Sequence, residues 1–188
     1  MEEIHDIMIF EETPVETTKY LFCYGSNNAQ QVAKRIESDK PLVFINAYIQ
    51  DYIRIFAGTS KRWKGGIVGL YPQRDFKTYG ILVTVTESQL LKMDEFEKGY
   101  ERKTMMVNAQ ISETVTELIE TDVYWKTNIN FEYLPSSMYL CSIRKMLHDR
   151  TGTHRRNIMI RGIINDEVRE LGIWKPKYGI KLTNQPTF

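Results

Sequence analysis

The residues of this chain that could do chemistry sit in three short stretches. The first is "YLFCYGSNNA", an apolar run that ends in Tyr24-Gly25-Ser26-Asn27. A strand that stops in such a loop is either a plain turn or a cradle of N–H groups held toward a polarised ligand. The second is "MDEFEKG", where Asp94, Glu95 and Glu97 crowd the end of a helical pattern, against the negative end of the macrodipole. These acids are either a solvated charged face, or one of them faces a pocket. There, apolar neighbours such as Met93 and Phe96 would raise its pKa and suit it to general acid–base work. The third comprises Tyr124 in "DVYWKTN" and Tyr139 in "LPSSMYLCSI", each readable by itself as a core aromatic with a satisfied hydroxyl.

Other chemistries find little support. His5, His148 and His154 have no partner at ligand spacing, so neither a metal nor a cofactor is expected. The sequence has no nucleophile elbow, no Walker-type phosphate loop and no dinucleotide fingerprint. The two cysteines, Cys23 and Cys141, lie in apolar stretches and read as reduced, buried thiols.

The elements that must position these residues follow from periodicity. "KYLFCY", "PLVFINAYI", "YIRIFA", "GGIVGLY" and "YGILVTV" read as five short strands, rich in β-branched and aromatic residues. "AQQVAKRIES" spaces Val32 and Ile36 as a short helix, so the loop at 24–27 joins a strand to a helix start, where N–H groups lack intrahelical partners. "TESQLLKMDEFEKG" opens with Thr86 and Gln89 in capping-box spacing and closes at Gly99. "KTMMVNAQI" places Met105, Val107, Ala109 and Ile111 on one face, with "ELIETDVYWKT" as its hairpin partner. "SSMYLCSIRKML" and "NIMIRGIINDEVRELG" read as helices separated by the basic "HDRTGTHRR". Strands first and helices last predict an α+β fold with a bent mixed sheet or small barrel.

The 188 residues suit one domain, with residues 1–18 as an acidic extension and 19–188 as the domain proper. Twenty-five Lys and Arg against 24 Asp and Glu give a net charge of +1, too little for a global field that would hold nucleic acid or an anionic membrane. Binding of nucleic acid through "RKMLHDRTGTHRR" is the weaker alternative and would be steeply salt-dependent. The first residues carry acids where a leader would be basic, and no apolar run is long enough to span a bilayer. The expectation is a soluble, cytoplasmic monomer or homodimer.

Taken together, the fragments resemble the gamma-glutamylcyclotransferase family, including its AIG2-like branch. The segments that carry the likeness keep the family's order over about residues 19–147: "YLFCYGSNNA", "RWKGGIVGLYP", "YGILVTVTESQLLKMDEFEKGYER", "VYWKTN" and "LPSSMYLCSI". The resemblance implies a small mixed barrel flanked by helices, and a small-molecule gamma-glutamyl substrate that is cyclised to 5-oxoproline with release of an amine or amino acid. It implies that Tyr24, Gly25, Ser26 and Asn27 hold the glutamyl group, that Glu97 is the catalytic acid–base, and that Tyr100, Tyr124 and Tyr139 line the pocket. Y-G-S-N in place of the Y-G-S-L of glutathione-specific relatives points away from glutathione as substrate. The main departure is Lys98, where the family usually has Gly; Gly99 follows one position late, which would alter the turn that aims Glu97. Asn28 and Met93 replace the usual Leu. The alternative is a non-catalytic ligand-binding or regulatory module on the same fold.

Overall fold

The computed structural model describes residues 16–129 and 135–151, the last four as backbone alone. Five strands close into a barrel in the order β1-β3-β2-β4-β5. They are β1 (Thr18–Cys23), β2 (Phe44–Ser60), β3 (Gly65–Thr86), β4 (Glu101–Gln110) and β5 (Thr116–Trp125). Neighbours run antiparallel except where β5 meets β1 in parallel, with Phe22 opposite Val123, which makes the barrel mixed as expected. Closure leaves no long free edge. Three helices flank it: α1 (Ala29–Arg35), α2 (Glu87–Asp94) and α3 (Ser137–Thr151).

The five short strands expected between residues 19 and 85 are three. "PLVFINAYI" and "YIRIFA" are one strand, β2, and "GGIVGLY" and "YGILVTV" are one strand, β3. Their ladder is interrupted where the register shifts between Gln50 and Tyr52. There Asp51 and Asp75 both adopt left-handed backbone, at φ 62° and 69°, and Asp75 N–H donates to Asp51 Oδ1 at 2.8 Å. The breaks expected between these runs are an irregular bulge, with Asp51 of β2 opposite residues 73–76 of β3, and both strands continue through it.

The core follows the apolar pattern. Leu21, Phe22 and Cys23 are buried in succession because β1 has the barrel interior on one face and helices on the other. Val32 and Ile36 of the α1 segment, Leu90 and Met93 of α2, and Ile143, Met146 and Leu147 of α3 join the same cluster. The capping box at Thr86 is present: Gln89 N–H donates to Thr86 Oγ1 at 3.3 Å, and Thr86 N–H donates to Gln89 Oε1 at 3.0 Å. Cys141, expected buried, is exposed on α3, while Cys23 is buried. α3 also runs on to Thr151, into the stretch expected to separate two helices. Most of the acidic extension, the rest of that basic stretch, the second C-terminal helix, and the side chains of His5, His148 and His154 lie outside the described residues. Among the described residues no helix is long and apolar enough to cross a membrane.

Candidate functional site

One end of the barrel gathers the chemistry. β1 and β5 finish there side by side, and β4 begins there, with Glu101 opposite Trp125. Three connections meet at this end: the loop after β1, the turn after α2, and the start of α3.

The loop after β1 is held by its own sequence. Asn28 is the N-cap of α1, its Oδ1 accepting from Gln31 N–H at 2.8 Å, and its own N–H donates to Ser26 O. Asn28 is thus the residue that turns strand into helix, a role that Leu could not fill. The N–H groups of Gly25, Ser26 and Asn27 donate to no other group among the described residues. A Cβ at Gly25 would stand 2.7 Å from Val68 Cγ2 and 3.6 Å from Tyr139 Oη, so the residue must be Gly to leave the space open.

The turn after α2 carries Glu97. Asn27 Nδ2 donates to Glu97 Oε1 at 3.0 Å, and Arg35 Nη1 donates to the same oxygen at 2.5 Å and to Asn27 Oδ1 at 2.9 Å. Loop, helix α1 and acid therefore close a three-membered polar ring whose charged side chains are nearly nine-tenths shielded. The apolar setting expected for Glu97 is absent: Met93 faces the core, and Phe96 is exposed beneath the Arg35 guanidinium, 5.2 Å from its ring centre. A guanidinium and an amide face Glu97 instead.

Lys98 does not disturb this turn. Its left-handed position falls on Gly99, at φ 89°, and not on Lys98, so the displaced glycine meets the backbone requirement where it stands. Lys126, just past β5, reaches under the turn, donating to Gly99 O at 3.3 Å with its ammonium 4.9 Å from the Tyr100 ring centre. Burial lowers the pKa of this ammonium.

The tyrosines build the walls. Tyr100 Oη donates to Val68 O, and Val68 N–H donates to Tyr139 Oη at 3.1 Å, so two rings grip one peptide of β3. Ser136 caps α3 through a bond from Tyr139 N–H to Ser136 Oγ at 3.2 Å, which is the physical sense of Pro-Ser preceding that tyrosine. Tyr24 Oη donates to Tyr124 O, and Tyr124 Oη donates to Asp94 Oδ1 at 2.7 Å. Tyr124 thus lines the cavity while its hydroxyl is engaged by Asp94 of α2. Burial pushes all four hydroxyls above the ordinary tyrosine range, with the Asp94 carboxylate adding to the effect at Tyr124. All four are therefore neutral phenols at ordinary pH. Burial likewise raises the Cys23 thiol, which is no nucleophile.

These residues enclose an inner cavity of about 340 Å³ counted out to solvent, lined by Tyr24, Gly25, Ser26, Asn27, Glu97, Tyr100, Tyr124 and Tyr139 together with Phe22, Cys23 and Val68. Every expected site residue lines it, although they come from positions 24 to 139. Among the described residues Glu97 is the sole carboxylate in the lining. Among the described residues no cluster of three potential metal ligands occurs. The sequence reading missed Arg35, whose place in the last turn of α1 reads as an ordinary basic helix end. It also missed that two of the three crowded acids meet a cation: Arg35 for Glu97, and Arg102 for Asp94, at 3.3 Å.

Comparison with known proteins adds three findings. Residues 21–140 match the family described as gamma-glutamyl cyclotransferase, AIG2-like. No curated protein matches the sequence. Among solved structures, one described as a gamma-glutamyl cyclotransferase shares 22% identity over 77% of this chain and 87% of its own, at a TM-score of 0.66. A Homo sapiens protein described as uncharacterized shares 23% identity over 77% and 86%, at 0.65. YkqA from Bacillus subtilis shares 18% over 80% and 55%, at 0.61. At these identities the structural likeness speaks for the fold.

Proposed function

The chain belongs to the gamma-glutamyl cyclotransferase, AIG2-like family, and from that premise we propose that it cyclises a gamma-glutamyl compound to 5-oxoproline, with Glu97 as general acid–base. The observation that carries the reading is the placement of Glu97. Among the described residues it is the single carboxylate in a cavity walled by neutral tyrosines, and it is bonded to Asn27 of the loop that would hold the substrate.

The reaction is an intramolecular aminolysis. The free α-amino nitrogen of the glutamyl group attacks its own γ-carbonyl carbon, the new C–N bond closes a five-membered lactam, and the original amide C–N bond breaks. Nucleophile and electrophile share one molecule, so the site has mainly to fold the glutamyl chain into the attack conformation and move protons. Glu97 takes a proton from the α-ammonium and returns one to the departing nitrogen. The N–H groups of Gly25, Ser26 and Asn27 are the donors for oxygen atoms of the glutamyl group. The buried tyrosines keep their protons and shape the cavity. The Arg35 and Asn27 bonds fix the Glu97 oxygen they share and leave the other oxygen, Oε2, as the one offered to substrate.

Glu97→Gln keeps the shape and an acceptor for Arg35 but removes the proton affinity. The expected outcome is loss of turnover by about 10²–10⁴-fold, with unchanged circular dichroism. Release of 5-oxoproline from a panel of gamma-glutamyl dipeptides, followed by chromatography for wild type and variant, tests this. Wild-type rates in the variant would sink the assignment.

A further inference from the structure

A second, wider chamber, of about 620 Å³ counted out to solvent, shares Ser26, Glu97, Tyr100 and Tyr139 with the lining of the inner cavity. Its charged lining is Arg35, Arg62, Lys98 and Glu97. Arg35 and Glu97 neutralise one another. Arg62 and Lys98 remain, neither in an ion pair among the described residues, and both exposed on the chamber wall.

Arg62 is held in place there. Its guanidinium lies over the Trp63 ring, 5.1 Å from the centroid, and that ring packs against Tyr139 at 5.0 Å between centroids. A guanidinium stacked this way keeps its edge free for a planar anion. The turn that carries it, "SKRWKGG" between β2 and β3, holds Lys61, Arg62 and Lys64 and no acid, so the local potential is positive although the chain as a whole is nearly neutral. Lys98, on the turn after α2, lines the same chamber.

Resting on the cyclotransferase reading above, we propose that this outer chamber receives the departing half of the substrate and selects one that carries a carboxylate, with Arg62 and Lys98 as the specificity-determining residues. Glu97 lines both chambers, so the scissile amide sits at their junction, with the glutamyl group on the inner side and its amine partner on the outer. An α-amino acid leaving group then brings its carboxylate into the chamber that these two cations line. A simple amine leaves both cations unmatched. The chamber therefore favours gamma-glutamyl-amino acids over gamma-glutamylamines.

The test compares gamma-glutamyl-alanine with gamma-glutamyl-ethylamide, which differ only by that carboxylate, in wild type and in Arg62→Ala/Lys98→Ala. Wild type is expected to show a ratio of kcat/KM of roughly tenfold in favour of the alanine compound. In the double variant the ratio falls to within about twofold of unity. The substitution Lys98→Glu is expected to drive it below one. A wild-type ratio near one, or a ratio unchanged in the double variant while 5-oxoproline is still released, overturns the proposal. If neither compound yields 5-oxoproline, the cyclotransferase reading fails by itself. Titration calorimetry of the same two compounds then decides the chamber: tighter binding of the alanine compound, lost in the double variant, supports it, and equal or absent binding overturns it.

Discussion

Gly25, Asn27 and Glu97 each answer to a different constraint. Gly25 is set by space, because a methyl group there meets Val68 and points at the Tyr139 hydroxyl. Gly25→Ala is expected to cost about 1–3 kcal/mol by overpacking. It should also lower kcat/KM at least tenfold, more than the stability loss would suggest. Thermal unfolding and 5-oxoproline release on the same preparation separate the two effects; full activity in a folded Ala variant would show that the space is not used. Asn27 is set by its two-sided amide, which donates to Glu97 and accepts from Arg35 at once. A carboxylate or an aliphatic side chain of similar size lacks one or both halves of that pattern. Glu97 is set by charge, as the counterpart of Arg35, so its neighbours are polar and not the Met93 and Phe96 that adjoin it in sequence.

At the scale of elements, short helices deliver side chains from well-defined ends. α2 is only eight residues long and starts with a reciprocal cap, so its start is fixed by Thr86 and its end by the Asp94 contacts to Tyr124 and Arg102. Isolated helices of this length are unstable, and caps and packing supply what propensity does not. Thr86→Ala is expected to destabilise the protein by about 1 kcal/mol. That lowers the midpoint of thermal unfolding by roughly 2–4 °C, readable by circular dichroism. No change would mean that packing of Leu90 and Met93 alone holds the helix. The bulge at Asp51 and Asp75 interrupts the ladder of the β2–β3 hairpin, whose far end carries the Trp63 and Val68 portions that meet Tyr139.

Over the whole molecule, the buried tyrosines set the alkaline limit of stability. In the unfolded chain a tyrosine loses its proton near pH 10, whereas burial keeps Tyr24, Tyr100, Tyr124 and Tyr139 protonated well above that. Above pH 10 the unfolded state therefore binds fewer protons than the folded state, and stability falls as pH rises, by up to about 1.4 kcal/mol per pH unit for each such group. Lys126 acts in the opposite direction. Its folded pKa is depressed, so the cost of burying its charge is relieved as pH climbs through the folded value toward the ordinary lysine range. Four groups outweigh one. Urea titrations between pH 8 and 11.5 are expected to show a steep decline beginning near pH 10, and a flat profile there would contradict the burial of these hydroxyls.

The sequence by itself determined the local pieces: the strand that ends in Tyr24-Gly25-Ser26-Asn27, the Thr86–Gln89 cap, the β4–β5 hairpin and the Pro-Ser start of α3. Each is written in residues a few positions apart, where spacing and backbone preference are legible. Family order then joined those pieces and marked the residues that line the inner cavity. The tertiary structure alone decided what faces what. That Arg35 rather than an apolar pair meets Glu97, that β2 and β3 continue through the bulge at Asp51 and Asp75, that Cys141 is exposed, and that Gly99 meets the backbone demand beside Lys98 are all settled across the barrel. So is the presence of Arg62 and Lys98 in the lining of one chamber. The physical reason is that charge pairing and burial depend on distance in space, and closing a five-stranded barrel brings together residues more than a hundred positions apart.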